Sequence, residues 1–347
     1  MNMTGMLNIG GKRELLARGL FWSGASFMLS LLPSRDSLMV LNYHRIGNAE
    51  DDLFDPDIFS ATAEQFNDQI SYMKRRVSLV TLEEALTFID GTSKDKARCC
   101  RVLITFDDGY LDNYEIAFPI LRSHEAQGVF FLTTNMVGSC DVPWWDHIAY
   151  LVKTARKRRF QLRYPSDLIV NLDEKGLTES LRTILWHYKL PGNSDPARFI
   201  RELEEESKGD KPPRTQRRFL NWDEAREMSR GGMTMGSHSH SHAMLSQLST
   251  DQQREELTKS RAILKAQLGV ETNTLAYPVG IRDSFTNQTQ KIAREAGYRA
   301  AFSFYGGTNL PGKTMPYDVR RIGIEVQSRS RFRVQVAVCR LTGSYWP

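Results

Sequence analysis

The stretch VLITFDDGYLDN, residues 102–113, runs from an apolar segment straight into two adjacent carboxylates, Asp107 and Asp108, and then a glycine. The apolar run reads as a strand buried on both faces, and charge at its end is costly unless paired or bound to metal. Comparable runs recur at 38–46, 128–134, 233–238, 274–280, 298–304 and 320–326. Helical patterns lie between them: 62–76 and 81–91 each open on threonine, and 249–269 carries a Thr250 to Gln253 capping box and closes on Gly269. Buried strands alternating with helices predict an α/β fold with parallel pairing, as an open doubly wound sheet or a barrel. His44, Asp107, Asp108, His238, Pro278 and Gly280 all fall at carboxyl ends of these runs. Because such folds collect their sites on that face, the alternation predicts one shared site.

Outward from this core the pattern changes. Residues 141–217 interrupt it with two tryptophans, helical segments, the basic run KTARKRRFQLR and the breaker-rich SKGDKPPRTQRR. This is read as an insertion between two core strands, over or beside the site. The expected division is an N-terminal helical segment at 1–34, a core at 35–326 that includes the insertion, and a basic tail at 327–347. The uncharged stretch 19–34 follows Lys12, Arg13 and Arg18 but is short for a spanning helix and broken by serine and glycine. Residues 13–34 are therefore expected to pack on the domain or to touch a membrane peripherally. No small-x-small site follows, so no cleaved leader is expected, and the expected location is the cytoplasm or the inner face of a membrane.

The 347 residues carry a formal net charge of +5, which permits an anionic polymer or membrane surface as partner and does not require nucleic acid. The four cysteines, Cys99, Cys100, Cys140 and Cys339, have neither zinc-knuckle nor disulfide-framework spacing.

The chemistry gathers in MGSHSHSHAML, residues 235–245, with His238, His240 and His242. The strand is expected to end near Gly236, and in the following turn residues four apart share a face. That favours His238 with His242 as a chelating pair and turns His240 elsewhere. Taken alone, an exposed His/Ser turn and an Asp-Gly strand end are ordinary structural features. Together they supply two imidazoles and a carboxylate, a set that leaves a position open on zinc, with a second carboxylate spare to act as base.

In this order, TFDDGY, GSHSHSH and LAYPVG resemble successive motifs of the polysaccharide deacetylases of carbohydrate esterase family 4, the chitooligosaccharide deacetylase homology domain. The resemblance covers most of 38–325 outside the insertion. It implies an irregular (β/α) barrel and removal of acetyl groups, usually from N-acetylhexosamine, by a metal-dependent hydrolase. By position, Asp107 resembles the general base, and Asp108, His238 and His242 resemble the ligands of a divalent metal. Zinc is expected first, and cobalt, nickel and manganese are compatible with the same donors. The Tyr110 amide matches the oxyanion donor, and Tyr277, Pro278 and Gly280 match the groove wall. The implied partner is an acetylated amino-sugar polymer or oligosaccharide.

The sequence departs from the family pattern in two places. NTLAYPVG lacks the arginine that orients the catalytic aspartate in many members, for which Arg320 or Arg321 is a candidate replacement. No histidine follows His242, so the late Leu-x-His motif is missing. LNYHRIG resembles the entry strand of a circularly permuted branch that includes poly-N-acetylglucosamine deacetylases. In a closed barrel the first strand adjoins the last, which makes His44 a candidate general acid; its alternative is a hydrogen-bonded histidine ending a strand. Trp144 and Trp145 are either a sugar-stacking wall or core of the insertion, and Asp112 and Asn113 are expected to brace the catalytic loop. Two other readings remain open: a hydrolase of a non-carbohydrate amide or O-acetyl ester, and a silent glycan-binding module.

Overall fold

The computed structural model describes residues 34–343, apart from 51 and 94–98, together with Ala17, Gly19 and Leu32. The N-terminal segment expected at 1–34, with its membrane contact, falls almost wholly outside the described residues. No helix among the described residues is long and apolar enough to cross a membrane.

Parallel strands form a curled central sheet: β1 Ser37–Tyr43, β2 Cys100–Phe106, β3 Val129–Leu132, β4 Thr234–Ser237, β5 Thr274–Ala276, β6 Ala300–Phe302 and β7 Ile322–Gly323. Their spatial order is β6-β5-β4-β3-β2-β1-β7, and Ser78–Leu79 also pairs with β2. Every residue of β1 and β2 is buried, and the two strands pair along their whole length, from Ser37 opposite Cys100 to Tyr43 opposite Phe106. Just before β7, Val319 forms a parallel bridge to Phe302 of β6. The two ends of the sheet thus meet in an irregular barrel, and the first strand lies beside the last.

Alternation along the strands sorts the core into two layers. Leu38, Val40, Leu103, Phe131 and Phe302 share the cluster inside the curl, which helix α2, Leu82–Ile89, closes from one end with Leu86 and Phe88. Met39, Leu41, Ile104 and Phe130 face the other way, toward helix α1, Ala63–Arg76. Both helices start at capping boxes, Thr62 with Gln65 and Thr81 with Glu84.

The stretch 141–217 packs into a second buried cluster, which it shares with Tyr110, Met136 and Phe219. It contains helices α3 Trp144–Lys153, α4 Leu177–Tyr188 and α5 Pro196–Ser207, and also an antiparallel hairpin of Arg159–Leu162 with Leu168–Asn171. The basic run is therefore partly a strand, with Phe160 and Leu162 inward and Arg159 and Gln161 exposed. Helix α6, Thr250–Leu268, caps one residue earlier than its sequence suggests, at Ser249 with Gln252. Gln253 is turned inward, where it donates to the Leu248 carbonyl and accepts from Thr289. The late segment forms helix α7, Arg329–Thr342, which lays Phe332, Val336 and Cys339 against the main core.

Gly236 in β4, two residues before His238, has no room for a side chain: a Cβ there would lie 2.3 Å from the Phe131 ring. Gly236→Ala is expected to cost about 1–3 kcal/mol by overpacking. Thermal unfolding followed by circular dichroism checks this, and an unchanged melting temperature would contradict the close approach.

Candidate active site

Parallel strands place their carboxyl ends on one rim, and the site is built there from three of them, with an arginine entering from the start of a fourth. Asp107 and Asp108 follow β2, His238 and His242 follow β4, His44 follows β1, and Arg321 immediately precedes β7. Asp107 is 3% exposed and Arg321 is fully buried. The guanidinium grips the carboxylate with both arms, Nη1 to Oδ1 at 2.7 Å and Nη2 to Oδ2 at 2.8 Å. Asn42 Nδ2 adds a third bond to Asp107 Oδ2 at 3.1 Å, and Asn42 Oδ1 accepts from Arg321 Nη1 at 2.7 Å. Of the two candidate arginines, Arg321 faces the aspartate, while Arg320 is exposed.

The two carboxylates share one burial and differ in what faces them. Burial alone would raise the Asp107 pKa, but the Arg321 charge, His238 and the Arg321 hydrogen bonds outweigh it and hold it below the usual carboxylate range. Asp108 has no such cation: burial and the neighbouring Asp107 charge push it well up. It sits at φ 73° in the left-handed region, with Oδ1 buried and unpartnered among the described residues.

Asp108 Oδ1 lies 3.5 Å from His238 Nε2 and 3.4 Å from His242 Nε2. One donor atom from each of these three residues falls within 4.8 Å of the others. His238 donates from Nδ1 to the Ala276 carbonyl at 2.8 Å, which leaves Nε2 with its lone pair toward Asp108. Burial lowers the pKa of both histidines, so both are neutral donors. A buried aspartate oxygen without a hydrogen bond among the described residues, with two imidazole nitrogens around it, is a donor set that a divalent cation fits. His240 points elsewhere: its Nδ1 pairs with Thr134 Oγ1 at 3.0 Å, and Glu256 caps the turn by accepting from the His240 and Ser241 amides.

His44 Nε2 lies 4.0 Å from Asp107 Oδ2, with the ring at the mouth of the cleft against Phe304. Burial, together with Arg321 and His238, lowers its pKa to about 4 against the opposing pull of Asp107. Asn113 Nδ2 donates to the His44 carbonyl, and Asp112 accepts from the Ile46 amide and from Arg45 Nε, so both residues brace this strand end. Tyr110 bridges Phe219, with Gly109 O accepting from Leu220 N and Leu111 N donating to Arg218 O. In this antiparallel pattern the Tyr110 amide points away from the partner strand.

The Tyr110 side chain has a part that sequence reasoning missed. Its hydroxyl accepts from Trp145 Nε1 at 2.7 Å and donates to Asp146 Oδ2 at 3.3 Å, and Asp146 also pairs with Arg218. This buried chain fastens α3 to the loop that follows β2. It sets the Trp145 ring 4.4 Å from the His242 ring, in the cleft wall and in the insertion core at once. Asn42 was missed as well; its signal is a polar residue inside a strand buried along its whole length.

The LAYPVG segment is placed differently from its expected groove wall. Tyr277 is fully buried, stacks on Phe285 at 4.2 Å and donates to the Tyr317 carbonyl. Neither Tyr277, Pro278 nor Gly280 lines the cleft; Val279 does, at φ 64°. Gly280 lets the chain pass Phe304, where a Cβ would come within 2.6 Å of the Phe304 Cβ, and Phe304 is itself a cleft wall. The cleft encloses about 320 Å³.

Residues 94–301 match the family model described as polysaccharide deacetylase. The Bacillus subtilis protein YxkH, whose name places it among polysaccharide deacetylases, is 22% identical over 233 residues, 67% of this chain and 52% of that protein. The poly-beta-1,6-N-acetyl-D-glucosamine N-deacetylase of Staphylococcus epidermidis is 34% identical over 116 residues, 30% of this chain and 39% of that protein. The matched regions thus span about half the length of these curated relatives, or less. Among solved structures, the Streptococcus pyogenes deacetylase PplD in complex with acetate superposes with a TM-score of 0.55 at 18% identity, covering 86% of this chain and 97% of that one. IcaB from Ammonifex degensii gives 0.55 at 22% identity, covering 88% and 97%. At these identities the likeness is one of fold.

Removing one partner of a buried ion pair strands the other. Arg321→Ala is accordingly expected to lower stability by about 3–5 kcal/mol, read as a shift in the urea midpoint. A loss below about 1 kcal/mol would show that Asp107 does not depend on the guanidinium.

Proposed function

This chain belongs to the polysaccharide deacetylase family, and from that premise we propose that it removes N-acetyl groups from an amino-sugar polysaccharide or glycan precursor with the help of a divalent metal. The observation that carries the proposal is the pairing of an unpartnered Asp108–His238–His242 donor set with a separately anchored, ionised Asp107 beside it. Zinc is the first expectation for that donor set. When bound, such an ion polarises an acetyl carbonyl and lowers the pKa of an attacking water.

The chain's own residues supply the rest. Asp107, kept anionic by Arg321, takes the proton of the attacking water at Oδ2, which lies 3.8 Å from His238 Nε2 and 4.0 Å from His44 Nε2. The Tyr110 amide, free of protein acceptors among the described residues, donates to the developing oxyanion. His44 rests neutral, so it must gain a proton before it can deliver one to the departing amine. Asp107, loaded by the water, is the donor in reach. Trp145, Phe304 and Val279 wall the cleft and exclude solvent from these transfers.

Metal content and acetate release from acetylated glucosamine oligomers test this together. Asp107→Asn is expected to retain metal and lose about 10²- to 10⁴-fold in kcat, whereas Asp108→Ala is expected to lose the metal itself. Acetate release from simple acetyl esters or non-carbohydrate amides, with none from glycans, would replace the substrate class and keep the chemistry. A wild type inert on all of them would end the proposal.

A further inference from the structure

Helix α4 of the insertion packs Leu181, Ile184 and Leu185 inward, yet one residue further along it leaves Trp186 56% exposed. Trp186 lines the same cleft as Asp107 and His238, beside Leu185, Lys189 and Ile58. Its ring has no aromatic, hydrogen-bond or cation partner among the described residues. By contrast, Trp144 stacks on Tyr188 at 4.2 Å with Lys189 above it, and Trp145 is bonded to Tyr110. The helix face carrying Trp186 is fixed one turn earlier, where Arg182 grips Asp57 through Nε at 2.5 Å and Nη2 at 3.0 Å. Helix α4 thus presents a large ring, more than half exposed and without a ring, hydrogen-bond or cation partner among the described residues, on the wall of the cleft.

The cleft also continues past the metal-ligand set. A second hollow of about 190 Å³ adjoins it and shares Trp144, Lys189, His242 and Val279. Space on more than one side of His242 suits a sugar unit flanked by neighbours rather than a terminal one. A pyranose ring offers an apolar C–H face with hydroxyls at its edge, and an indole matches it with a flat apolar face and one N–H.

Resting on the deacetylase reading above, we propose that Trp186 is a stacking platform for a sugar adjacent to the one being deacetylated, and that it makes the enzyme select oligomers over short glycans. Trp186 acts here as a positioning residue, because it touches a neighbouring unit and not the reacting atoms. Its loss therefore falls on binding and grows with chain length.

The test compares wild type, Trp186→Ala and Trp186→Phe on acetylated glucosamine oligomers from disaccharide to hexasaccharide, with kcat and KM read separately from acetate release. Trp186→Ala is expected to raise KM for the hexasaccharide about five- to tenfold, as a lost stacking contact implies. The effect should be within about twofold for the disaccharide, with kcat little changed on the long substrate and most of the KM restored in Trp186→Phe. An equal loss on all lengths, or none on the hexasaccharide, overturns the platform. If the wild type releases acetate from no glycan, the deacetylase reading fails by itself. The platform is then read by calorimetric titration of the same oligomers into Asp107→Asn with and without the Trp186 ring, and equal affinities overturn it.

Discussion

The site depends on the buried ion pair between Asp107 and Arg321. A bare carboxylate at this depth would take up a proton, and a protonated aspartate cannot serve as a base. The guanidinium offsets the loss of water with two short, parallel hydrogen bonds, the geometry that only arginine offers a carboxylate. Asn42 completes the arrangement by donating to Asp107 and accepting from both Arg321 and Thr105. Strands near the beginning, the first third and the end of the chain are thereby tied together at one point.

The adjacent Asp108 shows what the pair prevents. It has the same burial but no guanidinium bonded to it; burial and the Asp107 charge outweigh the more distant pull of Arg321, and its pKa moves the opposite way. Two neighbouring residues of one type are thus given two chemical characters: one is an anion in the protein as it stands, the other is pushed toward its neutral form by burial and its neighbour's charge. A divalent ion at Asp108, His238 and His242 would reverse the balance at that carboxylate without disturbing its neighbour's pairing. The backbone records the same specialisation. Asp108, Ser239, His242 and Val279 all adopt positive φ in the loops of this rim. Such conformations cost about 1–3 kcal/mol each and persist where the surroundings leave no alternative. Here the barrel below and the insertion above, locked through Tyr110, Trp145, Asp146 and Arg218, provide that constraint.

Sequence and structure agree most closely where the information is local. The buried runs, their alternation with helices, the capping threonines of α1 and α2, the adjacent aspartates and the spacing of His238 and His242 are all set by residues within one element of each other. Periodicity and motif spacing express such relations directly. Two small differences arise where a local pattern met something it does not encode. The α6 cap moved by one residue because Gln253 found a partner on another helix, and the strand at 159–162 was hidden within a basic run, with Arg159 and Gln161 exposed.

What the sequence alone determined was the α/β alternation, the rim on which the site assembles, and the residue types available for metal and proton chemistry there. The tertiary structure decided which arginine faces Asp107, that Asn42 joins them, that Tyr277 turns into the core while Val279 and Phe304 form the wall, and how the insertion is fastened over the cleft. These are contacts between side chains up to 279 positions apart. They are fixed by how the first and last strands meet when the sheet curls, a long-range geometry that leaves no periodic trace in the chain.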